Sequence, residues 1–354
     1  MVEYETGAIA RRLPQGAMRR IFAVSEAGIL LSLVALVGTF YALNPAFLSG
    51  ANIRAMLGAM SFVTIIAVGQ TLLLVGGEFD LSVGSVAGLC SIISAWLMTK
   101  GHVSTPVGIL GGLGAGAAIG LINGLVVVRL GIPAFIATLG MLYAAQGFTL
   151  LITNGYPIYP LPDAVNEIGQ ASPVLGLGWS FVLMIVLVVA ADVFLRRTAI
   201  GRNLYATGGN KEIARLVGIN TNAYKIAAFM LTATLAALAG MLVMGSLGSA
   251  TTSIGSGWEL LVIAGVVIGG VSLFGGVGTV LAGFVGMLLL QIVQSGLVVV
   301  GVSPNWQTVA IGVIMILAVG LDLFRRKLST GTATRPRLLW GRRAPAAGSW
   351  RTRA

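Results

Sequence analysis

The sequence predicts an all-α polytopic membrane protein of about ten transmembrane helices, with both its N- and C-termini in the cytoplasm. Three observations predict it. Hydrophobic residues fill 56% of the 354 positions and charged residues only 9%, where a water-soluble chain carries about a quarter charged residues. Apolar runs of spanning length follow one another along the chain. The basic residues, finally, divide unequally between the loops that alternate along it.

A bilayer core of about 30 Å takes roughly 20 apolar residues at ~1.5 Å of rise each. Runs that meet this need lie at 27–43, 55–75, 81–98, 106–128, 134–153, 179–195, 226–247, 258–274, 279–300 and 307–324. The first follows Arg11, Arg12, Arg19 and Arg20, as a secretory leader would. It lacks a small-residue cleavage site and opens a series of similar runs, so it reads as an uncleaved span. With residues 1–26 as a cytoplasmic arm, every Lys and Arg of the chain except Arg54 and Lys100 falls on the cytoplasmic side, as the positive-inside rule requires. The transmembrane domain is then 27–324. Residues 325–354, with nine basic side chains and no acidic one, form a disordered cytoplasmic tail suited to anionic headgroups. Two extramembrane stretches are substantial: an external loop at 154–178, with Tyr156, Pro157, Tyr159, Pro160, Asp163 and Glu167, and a cytoplasmic loop at 196–224.

The composition also excludes functions. A net charge of +11 in a soluble chain would suggest nucleic acid, but here topology accounts for it. A single Cys90 and a single His102 allow neither a disulfide framework nor a Cys/His metal site. The stretch Thr207–Lys211 lacks the spacing and the following Ser or Thr of a phosphate-binding loop, and no catalytic triad can be assembled. Glu26, Asp192, Glu259 and Asp322 lie near span ends, which speaks against an intramembrane proton relay.

Four patterns stand out. Gly108, Gly112, Gly116, Gly120 and Gly124 recur every four residues and share one helix face, along which another backbone can approach closely. The segment GGEFDLSVGS, 76–85, joins the second and third spans; Asp80 is placed to cap the helix that follows, and Glu78 faces an ATPase partner or water. Its Gly76-Gly77 pair, ending the second span, is echoed by Gly269-Gly270 late in the eighth, either as in transporters built from duplicated halves or by coincidence in a chain with 50 glycines. In the cytoplasmic loop Asn210 can cap a short helix over Lys211–Val217 that Gly218 ends, with Ile213, Leu216 and Val217 on one side. Such a helix docks in the groove of a partner or rests on headgroups. Gln70, Asn123, Gln146, Gln291 and Gln294 are uncharged amides inside spans. They line a path for a hydroxyl-rich solute or bond one helix to another.

GGEFDLSVGS at 76–85, GLINGLVVVRLGIPAFIATLG at 120–140 and GRNLYATGGNKEIARLVGIN at 201–220 resemble the ribose-type (monosaccharide) permeases of bacterial ATP-binding cassette (ABC) importers. The resemblance runs from about residue 27 to 327, in family order. It implies a multi-pass permease subunit of the bacterial inner membrane that is not itself an enzyme and binds no cofactor, ATP and magnesium being held by a partner ATPase subunit. It further implies a second permease copy, an external sugar-binding protein, and alternating access for a ribose-, xylose- or galactose-like sugar. The loop matching 201–220 is the coupling element, so Gly208, Gly209, Asn210, Lys211, Glu212, Ala214, Arg215 and Gly218 become coupling candidates. The external loop with Asp163 and Glu167 becomes the surface for the binding protein. Rival readings are a permease for branched-chain amino acids or nucleosides, an ion-gradient transporter, and a membrane scaffold without transport activity.

Overall fold

Lipid offers no hydrogen-bond partner to a peptide group, so a chain this apolar must close its backbone bonds within helices. The computed structural model describes residues 31–303, together with helical positions at 305–310, 312–314, 316–317 and 320. The arm 1–26, the tail 325–354, Glu26, Asp322 and parts of the runs 27–43 and 307–324 lie outside the described residues. Among the described residues the fold is helical and its only β pairing is two isolated bridges.

The helices are α1 (Leu31–Leu43), α2 (Gly50–Val75), α3 (Val83–Thr99), α4 (Thr105–Arg129), α5 (Ala134–Thr153), α6 (Asp163–Gln170), α7 (Trp179–Arg197), α8 (Ala199–Gly209), α9 (Lys211–Leu216), α10 (Thr221–Leu247), α11 (Trp258–Ile268) and α12 (Val280–Val299). Six of them are long and apolar enough to cross a membrane: α2, α4, α5, α7, α10 and α12; α1, α3 and α11 are apolar but shorter. Their starts follow local chemistry. Side chains of Ser49, Thr198, Asn210, Asn220 and Thr279 accept backbone N–H bonds at the first turns of α2, α8, α9, α10 and α12, where four donors would otherwise lack partners.

Helix α10, 27 residues long, is the centre of the bundle. The glycine face of α4 lies against it and against α3. A methyl group on Gly116 would come within 2.7 Å of Ala237 Cβ and 2.8 Å of Ala233 O, one on Gly120 within 2.6 Å of Met230 Cα, and one on Gly124 within 3.0 Å of Ile226 Cα. Gly112 meets the Cys90 carbonyl and Met241, while Gly108 meets Met98. All five glycines are buried. On its other sides α10 takes Gly69 of α2 against Thr232, Ala87 of α3 against Gly240, and Gly169 of α6 against Gly245.

One span and one connection depart from the sequence reading. The eighth run, expected over 258–274, is helical only as far as Ile268. Gly269, Gly270 and Val271 turn back their N–H groups onto Gly265, Val267 and Val266, and Gly270 takes φ +104°, where a side chain would be strained. The connection from α10 to α11 is not a simple external loop either. It folds inward, so that the Ile254 and Gly255 carbonyls lie against Gly88 and Gly84 in the first turns of α3. The loops fall into two groups. The Val75 carbonyl accepts the Gly276 N–H (2.9 Å), the Tyr205 hydroxyl donates to Gly278 O (2.5 Å), and Gly208 packs on Gly77 and Gly275. At the opposite end Ile158 and Ala250 exchange backbone bonds and the Asn44 amide donates to Val299 O (2.8 Å). The Gly76 and Gly269 segments, alike in sequence, thus meet at Gly208.

The glycine contact makes a direct prediction. Gly116→Leu should destabilise the protein by about 1–3 kcal/mol through overpacking, read as a lower thermal midpoint in detergent. Gly114→Leu, on the open face where nothing lies within 4 Å, should leave the midpoint unchanged.

Candidate functional site

Three arrangements of polar side chains lie along the bundle. The first is a cavity of about 140 Å³ between α3, α5 and the infolded segment before α11. Ser85, Gln146, Thr149, Thr252 and Ser256 supply its polar atoms, and Gly88, Leu150 and Ile254 its apolar wall. No lining side chain carries a charge. Gln146 and Leu150 are exposed, so the cavity opens at the surface of α5. Hydroxyls and an amide donate and accept by turns, which suits a polyhydroxylated solute.

The second is a buried network at the start of α3. Asp80 Oδ1 accepts the Ser82 N–H (2.7 Å) and the Ser82 hydroxyl (2.6 Å). The Asn123 amide of α4 donates to Asp80 Oδ2 (3.2 Å) and to Ser82 Oγ (3.0 Å). All three side chains are buried. The helix-capping role expected of Asp80 is therefore modified. The N-cap of α3 is Ser82, with no side-chain cap bond of its own, and Asp80 braces the turn before it while tying that turn to α4. Two residues earlier, Glu78 Oε1 takes an ion pair from Lys225 Nζ of α10 at 2.5 Å, with both side chains largely shielded from solvent. Glu78 is thus neither directed at open water nor left free for a partner.

The third lies in the connection between α7 and α10, expected to hold one short helix and found to hold two. In α8, Leu204 and Thr207 are buried, and Gly208 is wedged between the segments that follow α2 and α11; Gly209 lies beside Gly276. The Asn210 side chain accepts the N–H groups of Glu212 and Ile213, both at 3.0 Å, and Gly218 takes φ +85°. Of the residues in α9 only Ala214 is buried. Arg215 donates to Thr221 Oγ1 (3.0 Å) and Asn222 Oδ1 (2.7 Å), while Lys211 and Glu212 are exposed. Ile213, Leu216 and Val217 stand out from the bundle, Leu216 with 85% of its surface exposed, and form an apolar knob that no described residue covers. The Lys211 ammonium is held below its ordinary pKa, first by partial burial and then by the nearby Lys225 and Arg215 charges, with Glu78 opposing.

The five amides separate. Gln146 lines the cavity. Asn123, expected on the same path, is instead consumed by Asp80 and Ser82, because the glycine face of α4 turns it toward α3. Gln70 is fully buried in α2, and neither its Nε2 nor its Oε1 has a partner among the described residues. Gln291 and Gln294 are half-buried on α12, outside the cavity. Asp163 and Glu167 share an exposed face of α6. Sequence reasoning passed over Lys225 and the hydroxyls of Ser85, Thr149, Thr252 and Ser256. The run TTSIGSG at 251–257 was a signal for the last two, since so many hydroxyls beside a span need partners or water.

A bundle of long apolar helices around one central helix, carrying an uncharged cavity and an exposed apolar knob, defines a membrane permease. The family profile described as branched-chain amino acid transport system, permease component, matches residues 52–319. The chain is 36% identical over 311 residues to the ribose import permease protein of Escherichia coli (strain K12), covering 86% of this chain and 96% of that one. It is 35% identical to the galactose/methyl galactoside import permease protein of Haemophilus influenzae over 84% of this chain and 94% of that one. It is also 34% identical to the autoinducer 2 import system permease protein of Photorhabdus luminescens, over 84% and 89% of the two chains. No solved structure matches it. The chain belongs to this family of ABC importer permease components: it is a non-catalytic transport subunit of the inner membrane, and hydrolysis of ATP falls to a partner. Membership displaces the ion-gradient and scaffold readings.

Accessibility separates the amides. With Cys90, the single native cysteine, buried, Gln146→Cys should react with a small hydrophilic thiol reagent in the purified protein, while Asn123→Cys and Gln70→Cys should stay unlabelled until it is denatured.

Proposed function

We propose that this subunit carries a monosaccharide of the ribose, xylose or galactose type across the inner membrane, taking it from an external binding protein and releasing it inside. The observation that carries the reading is the cavity at Ser85, Gln146, Thr149, Thr252 and Ser256, whose chemistry is that of hydroxyl recognition. Relatives named for ribose and galactose import support it. The family description names branched-chain amino acids, and a zwitterion would call for charged groups to meet its ammonium and carboxylate. The cavity lining offers none, which favours the sugar.

The chain crosses the bilayer about ten times, with arm and tail in the cytoplasm. The end of the bundle that carries α8, α9 and the Gly76 and Gly276 segments faces inward. There the α9 knob enters a groove of the ATPase subunit, which holds ATP and magnesium. Gly208, Gly209, Asn210, Lys211, Glu212, Arg215 and Gly218 shape and present it, with Ala214 as its buried anchor. Two copies form the pathway, and Asp163 and Glu167 on α6 receive the binding protein at the outer end. Binding and hydrolysis of ATP shift α9 and turn the cavity from outward to inward access.

Transport in vesicles tests this. Permease, ATPase subunit and binding protein reconstituted together should accumulate labelled sugar only with hydrolysable ATP, and accumulation without ATP contradicts the assignment. Leu216→Asp, at an exposed site, should cost about 2 kcal/mol of docking energy, a roughly 30-fold weaker hold on the ATPase subunit, measured by co-purification and titration.

A further inference from the structure

The ATPase-facing knob and the cavity are on different elements, and one short stretch of chain touches the supports of both. Arg215 of α9 grips the first turn of α10 through Thr221 and Asn222. Lys225, on the next turn of that helix, holds Glu78. Glu78 lies two residues before Asp80, whose carboxylate braces Ser82 and, through Asn123, α4. Ser82 starts α3, and Ser85 on the first turn of α3 lines the cavity. The stretch begins on the Gly76-Gly77 pair, with Gly77 at φ +82°, and Gly208 of α8 presses on Gly77 from the ATPase-facing side.

We propose that the segment 78–82 is the relay by which movement of α9 reaches the cavity, with Glu78, Lys225 and Asp80 as its positioning residues. The inference rests on the proposed function, since it needs an ATP-driven α9. Its physical basis is a continuous set of directional bonds. An apolar contact at Lys225 and Glu78 would hold α10 to the segment without the cost of shielding two charges from water, but it would slide when α10 moves. An ion pair with one geometry pulls instead. Beyond it, the Asp80–Ser82–Asn123 network ties the turn to the start of α3 and to α4, because the Ser82 N–H and Asp80 Oδ2 each have a single partner in it and lose that partner if the turn shifts alone. Displacement at Glu78 therefore becomes displacement of Ser85 and of the α3 wall that carries it. Elements with two discrete arrangements, linked by bonds of this kind, are what carry coupling between sites.

The test uses the complete importer in vesicles and reads two quantities: sugar moved per ATP hydrolysed, and the ATP dependence of labelling at Ser85→Cys by a hydrophilic thiol reagent. In Glu78→Gln the ratio should fall about tenfold, and labelling at position 85 should cease to respond to ATP while the ATPase subunit still co-purifies. Loss of one partner leaves a shielded charge unpaired, so the neutral pair Glu78→Gln with Lys225→Met is measured alongside; it keeps the shapes and should uncouple equally. Full coupling and ATP-responsive labelling in that pair would overturn the relay. ATP-dependent uptake by the unaltered importer is the reference: its absence refutes the proposed function, whereas its presence with coupled variants refutes the relay alone.

Discussion

The close approach of α4 to α10 is the contact on which the rest of this structure depends. In lipid the hydrophobic effect does little to bring helices together, so dispersion between closely fitted backbones must do it. Gly116, Gly120 and Gly124 let the α4 backbone settle against Ala233, Ala237, Phe229 and Ile226 of α10, while Gly108 and Gly112 turn toward α3. That contact fixes the position of Asn123, which lies between Gly120 and Gly124 in sequence, and Asn123 in turn holds Asp80 and Ser82. Widening the gap by a methyl group would draw the amide away from the carboxylate and release the start of α3. Packing and polar chemistry are here one device.

Where the backbone leaves helical form inside the bundle, it does so in company. The segments that follow α2 and α11 meet at Gly208, and the infolded segment before α11 lies along the first turns of α3. Irregular backbone at this depth survives only when buried in protein or lining a polar cavity, and both conditions hold here. The infolded carbonyls take up space that only Gly84 and Gly88 leave open, and the hydroxyls of Thr252 and Ser256 border the cavity. Unwound backbone set against intact helices is a common way to build the sites of carriers for small solutes. The cavity lining carries no charged side chain, while the charged pair of Glu78 and Lys225 lies toward the end of the bundle that holds α8 and α9.

Much of this was legible in the residues. The glycine spacing of α4, the Asn210 cap and the Gly218 turn follow from local rules, and each stands in the structure where those rules put it. What local rules could not give was long-range: Lys225 meets Glu78 across 147 positions of sequence, and Asn123 meets Asp80 across 43. Periodicity also overran the end of α11, because Val271, Leu273 and Phe274 are apolar without being helical. It missed α8, whose Arg202, Asn203 and Tyr205 read as loop until Leu204 finds its buried place against Gly76. The amides looked equivalent in sequence, and only the orientation of each helix separates Gln146 at the cavity from Asn123 in the network.

The central claim is that the α9 end of the bundle faces the cytoplasm and receives its motion from a hydrolysing partner. The most direct measurement is labelling of Leu216→Cys by a membrane-impermeant thiol reagent in cells. The account predicts no labelling in intact cells, labelling once the inner membrane is permeabilised, and protection when the ATPase subunit is bound. Labelling in intact cells would put the knob on the outer side and contradict the account.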